Sequence, residues 1–362
     1  MTSTDKPHDL SMIPALVQCH LATFFATRRE VVTGIDAHVV EATDLLEDFV
    51  LGGGKRIRPL FAWVGWLGTQ STSENPDAVL EAVSSLELIQ ACALIHDDII
   101  DSSDTRRGRP TVHRIVEDRH REAGWAGDPA HFGLSTATLL GDLALAWSDE
   151  MLLGADLPVE RLRAAMEPWW AMRTEVIAGQ MLDITVESSR DERIEVAEKI
   201  NRYKSAAYTI ERPLHLGAML GGASPELVSA YRSFGHDIGI AYQLRDDLLG
   251  VFGDPDVTGK PAGDDLREGK RTVLVAEALR HLDANAPAEA EKLRAGIGAV
   301  TSPSDIADLT DLIRMTGAEQ KVEHRIQELT ASGLSKLDAV ELTPSVRSML
   351  DDLTVRATTR RM

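Results

Sequence analysis

Two apolar runs in this chain each end in adjacent aspartates, and that pairing limits the folds open to it. Residues 88–96 lead into Asp97-Asp98-Ile99-Ile100-Asp101, and residues 238–245 lead into Asp246-Asp247-Leu248-Leu249. Both runs are rich in helix formers. At about 100° per residue, Asp97 and Asp101 share one helix face, a turn apart. Carboxylates that close repel one another unless a cation sits between them, and a buried helix with uncompensated charge is costly. The two runs are therefore expected to face one another across a cavity that holds a cation. Mg²⁺ suits that place, because it takes one or two carboxylates and completes its shell with water and substrate phosphates.

Helical spacing continues along most of the 362 residues. Aromatics are scarce while Ala, Leu, Glu and Arg are plentiful, a mix that favours helix over sheet. Helices are expected at 39–51, 59–67, 79–100, 136–153, 162–182 (interrupted near Pro168), 195–220 (kinked at Pro213) and 225–251. Further amphipathic helices follow from residue 272, with breaks around 284–287 and 301–304. Residues 69–77, 118–133 and 253–271 read as loops. No βαβ alternation, heptad array or fixed-period repeat is present. The expectation is an all-α protein: disordered residues 1–10, then a single domain of ten or more helices over 11–362.

The formal net charge of −19 speaks against a nucleic-acid partner. It does not exclude an anionic substrate, since a metal ion and local cations reverse the sign within a site. Cys19 and Cys92 lack the spacing of a metal site or disulfide framework. The polar N-terminus lacks a secretory pattern, and no apolar run approaches the roughly 18 residues of a transmembrane segment. A soluble, cytoplasmic protein is expected.

Cations cluster near the acidic runs. Gly52-Gly53-Gly54-Lys55-Arg56-Ile57-Arg58-Pro59 sets three of them just after a flexible turn. Glycine lets backbone approach a ligand closely, Lys supplies a point charge, and Arg a fork matched to phosphate oxygens. The spacing is not that of a P-loop. Arg106 and Arg107 follow the first acidic run, Lys260 and Lys270 follow the second, and Lys204 lies between them. Such a set could hold two diphosphates, one through metal and one without.

These elements, with Arg106-Arg107-Gly108, Gly179-Gln180-Met181-Leu182-Asp183, Tyr203-Lys204-Ser205, Tyr242-Gln243-Leu244-Arg245-Asp246-Asp247, Gly259-Lys260 and Gly269-Lys270, stand in one order. In that order the chain resembles the trans-isoprenyl diphosphate (polyprenyl) synthases over nearly its whole length, most of all a geranylgeranyl diphosphate synthase. The resemblance implies helices around a deep central prenyl pocket, and a homodimer. It also implies head-to-tail joining of isopentenyl diphosphate to dimethylallyl, geranyl or farnesyl diphosphate. Asp97, Asp101 and Asp246 would hold Mg²⁺, three ions when the allylic diphosphate is bound, with Asp98 and Asp247 in support. Arg106, Lys204, Ser205, Gln243, Lys260 and Lys270 would stand toward the allylic diphosphate. Lys55, Arg58, Gln90 and Arg107 would hold isopentenyl diphosphate. Asp97, Asp101, Asp246, Lys204 and Arg106 would be catalytic.

Three positions depart from the family pattern. Gly250 stands where the second motif has its third aspartate, with Asp254 as a candidate replacement. Gln90 stands where many members have histidine, and Ser205 replaces threonine. Cys92 and Ala93, before Asp97, sit where members that stop at C15 often carry an aromatic; two small residues imply elongation to C20 or somewhat further, with geranylgeranyl diphosphate the best single expectation. Two rivals are a class I terpene cyclase, which Asp246, Gly250 and Asp254 match in spacing, and a non-catalytic regulatory subunit. The cyclase leaves the 54–58 cations unexplained, and the intact first cluster opposes the subunit.

Overall fold

The computed structural model describes residues 9–106, 108–253 and 263–359. Within them the only strands are the antiparallel pair Thr105–Arg106 and Arg109–Pro110. Internal contacts divide the chain into two compact units, Met1–Ala165 with Met219–Gly222, and Met166–Ala218 with Ala223–Met362.

The first unit contains α1 (Ile13–Thr33), α2 (Ala37–Leu51), α3 (Ile57–Leu67), α4 (Pro76–Ile100), α5 (Val112–Glu122) and α6 (Pro129–Gly154). At its centre is α4, packed on α6 and on α1, α2 and α3. It is apolar on nearly every side, as a helix enclosed by others must be. By length and apolarity α4 also meets the requirement for crossing a bilayer, which corrects the expectation that no run does. The stretch concerned is 72% buried within the protein, as in a core helix. The expected loop at 118–133 is also corrected: α5 runs to Glu122 and α6 begins at Pro129. Of the residues expected to be disordered, 1–8 lie outside the described residues, and Leu10 is buried.

The second unit takes up α7 (Val159–Ser189), which begins in the first and runs through Pro168 without the expected interruption. Then come α8 (Ile194–Ile200), a π-helix (Asn201–Glu211), α9 (Arg212–Leu220), α10 (Pro225–Phe252), α11 (Asp264–Glu268), α12 (Val273–Asn285), α13 (Pro287–Gly296), α14 (Pro303–Met315), α15 (Ala318–Lys336) and α16 (Pro344–Thr358). Helix starts follow local chemistry. Asn75-Pro76, Asp128-Pro129, Ser224-Pro225, Ser302-Pro303 and Thr343-Pro344 each open a helix, the first side chain accepting a backbone N–H of the opening turn. This is the N-cap with proline at the first helical position.

α10 is the axis of this unit, packing against the π-helix, α15 and α16. Its contact with the π-helix is backbone to backbone. A Cβ on Gly235 would lie 2.6 Å from Glu211 Cα, and one on Gly239 would lie 2.7 Å from Ala206 Cα. The two glycines are one turn apart and leave a groove on α10. Gly239→Ala is expected to cost about 1–3 kcal/mol through overpacking, read as a lower melting temperature by circular dichroism. An unchanged melting curve would show that the groove yields freely.

Candidate active site

The glycine turn is held in place by a buried cation. Gly53 and Gly54 take φ values of +97° and +151°, and Arg56, although not glycine, sits at φ 49°. Non-glycine residues enter this region only where surrounding structure enforces it. Here the Arg56 guanidinium donates to Glu87 Oε2 at 2.5 Å, Gln18 Oε1 at 2.6 Å and the Val50 carbonyl at 2.7 Å. Arg56 is 5% exposed, so it faces the protein and not a ligand. This separates it from Lys55, which is exposed, and from Arg58 in the first turn of α3. Glu87 precedes Gln90 on α4 by three residues, so Arg56 ties the turn to the helix face that carries Gln90.

Farther along α4, Asp98 is 1% exposed, while Asp97 and Asp101 are partly exposed. The hairpin after the helix folds back and brings Arg106 onto these aspartates: Nε donates to Asp98 Oδ1 at 2.8 Å, and Nη2 lies 3.5 Å from Asp97 Oδ2. Burial pushes the Asp98 carboxyl above its ordinary range, with Arg106 pulling the other way. Its second oxygen is buried without a hydrogen-bond partner among the described residues.

The structure separates the two chain-length candidates. Ala93 precedes Asp97 by one turn on the same helix face. Cys92 Sγ instead lies 3.8 Å from His96 Nδ1, and burial pushes its thiol up to about 11. The His96 ring sits over Gly141 of α6, where a Cβ would fall 2.2 Å from Nε2, and Nε2 lies 3.1 Å from the Thr138 carbonyl. Nothing in the sequence pattern signals this seat.

In the second unit, Lys204 lies on the π-helix and its Nζ donates to Asp183 Oδ2 at 2.6 Å. Gly179, one turn before Asp183 on α7, meets the Lys204 backbone so closely that a Cβ would lie 2.5 Å from its nitrogen. The 179–183 and 203–205 motifs are thus one built piece, with Ser205 partly buried beside Lys204. On α10, Asp246 is partly exposed and Asp247 is 2% exposed. Asp247 accepts from Gln243 Nε2 at 2.8 Å and from Asn201 Nδ2 at 3.2 Å. Burial pushes its carboxyl up to about 7. Gln243 is therefore a partner of Asp247. Lys270 Nζ lies 2.5 Å from Glu268 Oε2 and 3.5 Å from Asp265 Oδ1. Arg107, Asp254 and Lys260 lie outside the described residues.

Among the described residues no group of three or more His, Cys, Asp or Glu stands close enough to enclose a metal ion. Mg²⁺ needs no such cage, because it keeps several waters and binds through one or two carboxylates plus phosphates. Each acidic run by itself offers only oxygen donors, and the second Asp98 oxygen is buried without a hydrogen-bond partner among the described residues. The residues fit the ion.

Helices bearing paired carboxylates, with cations on glycine-rich turns, define a diphosphate-handling all-α protein. The Polyprenyl synthetase family profile matches residues 40–315, and the chain belongs to that family. A solved geranylgeranyl pyrophosphate synthase from Corynebacterium glutamicum is 56% identical over 98% of this chain and 100% of its own, with a TM-score of 0.95. The (2E,6E)-farnesyl diphosphate synthase of Mycobacterium tuberculosis (strain ATCC 25618 / H37Rv) is 30% identical over 83% of this chain and 78% of its own. The geranylfarnesyl diphosphate synthase of Aeropyrum pernix is 30% identical over 90% and 94%. The protein is accordingly a prenyl diphosphate synthase, and so a prenyltransferase, with the all-α fold of its relatives.

Arg56→Gln leaves Glu87 buried without its counter-charge, a loss of about 3–5 kcal/mol. Arg56→Met with Glu87→Met removes both charges and should recover most of that stability in urea melts. Equal stability of the wild type and Arg56→Gln would discount the buried pair.

Proposed function

We propose that the chain joins isopentenyl diphosphate head to tail to allylic diphosphates, with Mg²⁺, and stops at all-trans geranylgeranyl diphosphate (C20). The likeness to the C. glutamicum protein carries this reading, since that protein is a geranylgeranyl pyrophosphate synthase complexed with isoprenyl diphosphate and magnesium. Relatives named for farnesyl and geranylfarnesyl products bracket the same length.

In this reading Lys55, Arg58, Gln90 and Arg107 bind isopentenyl diphosphate without metal. Asp97, Asp101 and Asp246 hold three Mg²⁺ ions with the allylic diphosphate. Bound metal supplies the positive charge that favours departure of that diphosphate. Asp98 and Asp247 support the ligating aspartates, with Arg106 orienting Asp98 and Gln243 orienting Asp247. Lys204, kept in place by Asp183 and flanked by Ser205, adds charge where the leaving group develops it, and Lys260 and Lys270 do the same. The allylic C–O bond ionises. Lys55 and Arg58 orient isopentenyl diphosphate so that its double bond meets the allylic carbon. A proton is then lost, with the released diphosphate as base.

Ala93 leaves the face below Asp97 open to a growing chain. A single catalytic domain over 11–362 belongs to the same proposal, supported by a family match that runs across both units. So does a homodimer. Phe132, Leu139 and Leu153 are 38%, 67% and 52% exposed and share one face of α6 at heptad spacing, which suits a second copy; light scattering tests it. A cytoplasmic location completes the proposal, with the apolar α4 used as a core helix.

Incubation with Mg²⁺, isopentenyl diphosphate and C5, C10 or C15 primers should give a C20 product by chromatography. No released diphosphate would sink the activity, and a C15 end product would sink the length. Ala93→Phe should shift the product to C15. Asp97→Ala should slow turnover at least ~100-fold, since the metal term is several kcal/mol, while its circular dichroism stays unchanged.

A further inference from the structure

The second acidic motif lacks its third aspartate because residue 250 is glycine. The room that side chain would need is already taken. A Cβ on Gly250 would lie 2.0 Å from Asp265 Oδ2 and 2.3 Å from Asp265 Cγ. Asp246 and Gly250 are one turn apart on α10 and share a face. The Asp265 carboxylate therefore lies against that face at the position a third aspartate would fill.

α11 (Asp264–Glu268) carries Asp265 to that place. α11 is bracketed by Gly263 and Gly269, both left-handed, at φ 69° and 86°. The Asp265 carbonyl accepts from the amides of Gly269 and Lys270 at 3.1 and 3.0 Å. The next residue, Leu266, is completely buried in the core of this unit. Asp265 itself is 9% exposed, so its carboxylate is turned inward. It lies 3.5 Å from Lys270 Nζ, and its charge is felt by Asp247.

We propose that Asp265 is the third carboxylate of this motif, supplied from α11 instead of α10, and that position 250 is glycine in order to admit it. The proposal rests on the reading that Asp246 binds Mg²⁺. Asp265 acts as a positioning residue, accepting hydrogen bonds from water on that ion.

The test uses the full chain, Mn²⁺ as probe and inorganic diphosphate, with affinity read by calorimetry. Asp265→Asn, which keeps the shape, should weaken Mn²⁺ binding about 10–100-fold, the usual loss for a partner in the outer shell. Gly250→Asp writes the complete motif into α10, yet it should also weaken binding, because the new side chain collides with Asp265. Gly250→Asp combined with Asp265→Gly moves the carboxylate back to α10 and should recover affinity; a purely structural role for Asp265 would not produce that recovery. Wild-type affinity in Asp265→Asn, or tighter binding in Gly250→Asp alone, overturns the proposal. A wild type that binds no Mn²⁺ with diphosphate overturns it together with the metal reading on which it rests.

Discussion

Close backbone approach around the π-helix is the constraint on which the placement of the second unit's candidate site residues depends. Gly179 on α7 and Gly235 and Gly239 on α10 each leave room that a single methyl group would fill. The π-helix is pressed against both helices, and Lys204 takes its position from that fit before its bond to Asp183 is counted. π turns recur at functional sites because they present side chains at angles an α-helix does not. Here the widened turn is seated on glycines, so position follows from steric exclusion, which holds at any ionic strength.

The first unit secures its loop by the opposite means. Arg56 accepts a left-handed backbone and a buried guanidinium, and three acceptors from α1, α2 and α4 compensate it. A buried pair of this kind adds little net stability over a well-packed apolar pair, but it is costly to break. That asymmetry suits a turn that must hold one geometry while carrying Lys55 at the surface. The same economy recurs at both acidic motifs. One aspartate of each adjacent pair is buried and fastened, Asp98 by Arg106 and Asp247 by Gln243 and Asn201, while Asp97 and Asp246 stay partly exposed.

Much of this was legible in the sequence, for identifiable reasons. The 79–100 and 225–251 helices follow from apolar spacing, and the breaks near 286 and 302 from proline and polar residues. The candidate site residues were marked by charge in apolar surroundings. What escaped depends on contacts distant in sequence. Arg56 reads as one of three equivalent cations until Glu87 and Gln18 are seen around it. Gly250 reads as a loss until Asp265 is found in the vacated space, whereas charge and proximity in sequence point to Asp254. Pro168 and the π-helix escaped because a proline rule and a 3.6-residue period describe isolated helices, whereas packing decides these two.

The π-helix is also anchored at both ends. Asn201 donates to Asp247 at its start, and at its finish Glu211 accepts from Arg232 while the adjoining Arg212 pairs with Glu175. A segment tied at each end, with more residues per turn than an α-helix, has its length fixed by its anchors. Changes in residue count that a surface loop absorbs have nowhere to go here. One residue removed between the anchors would rotate everything beyond it by roughly a quarter of a turn and unhook one end. Among the described helices, this stretch is where evolution can exchange side chains but not alter the spacing.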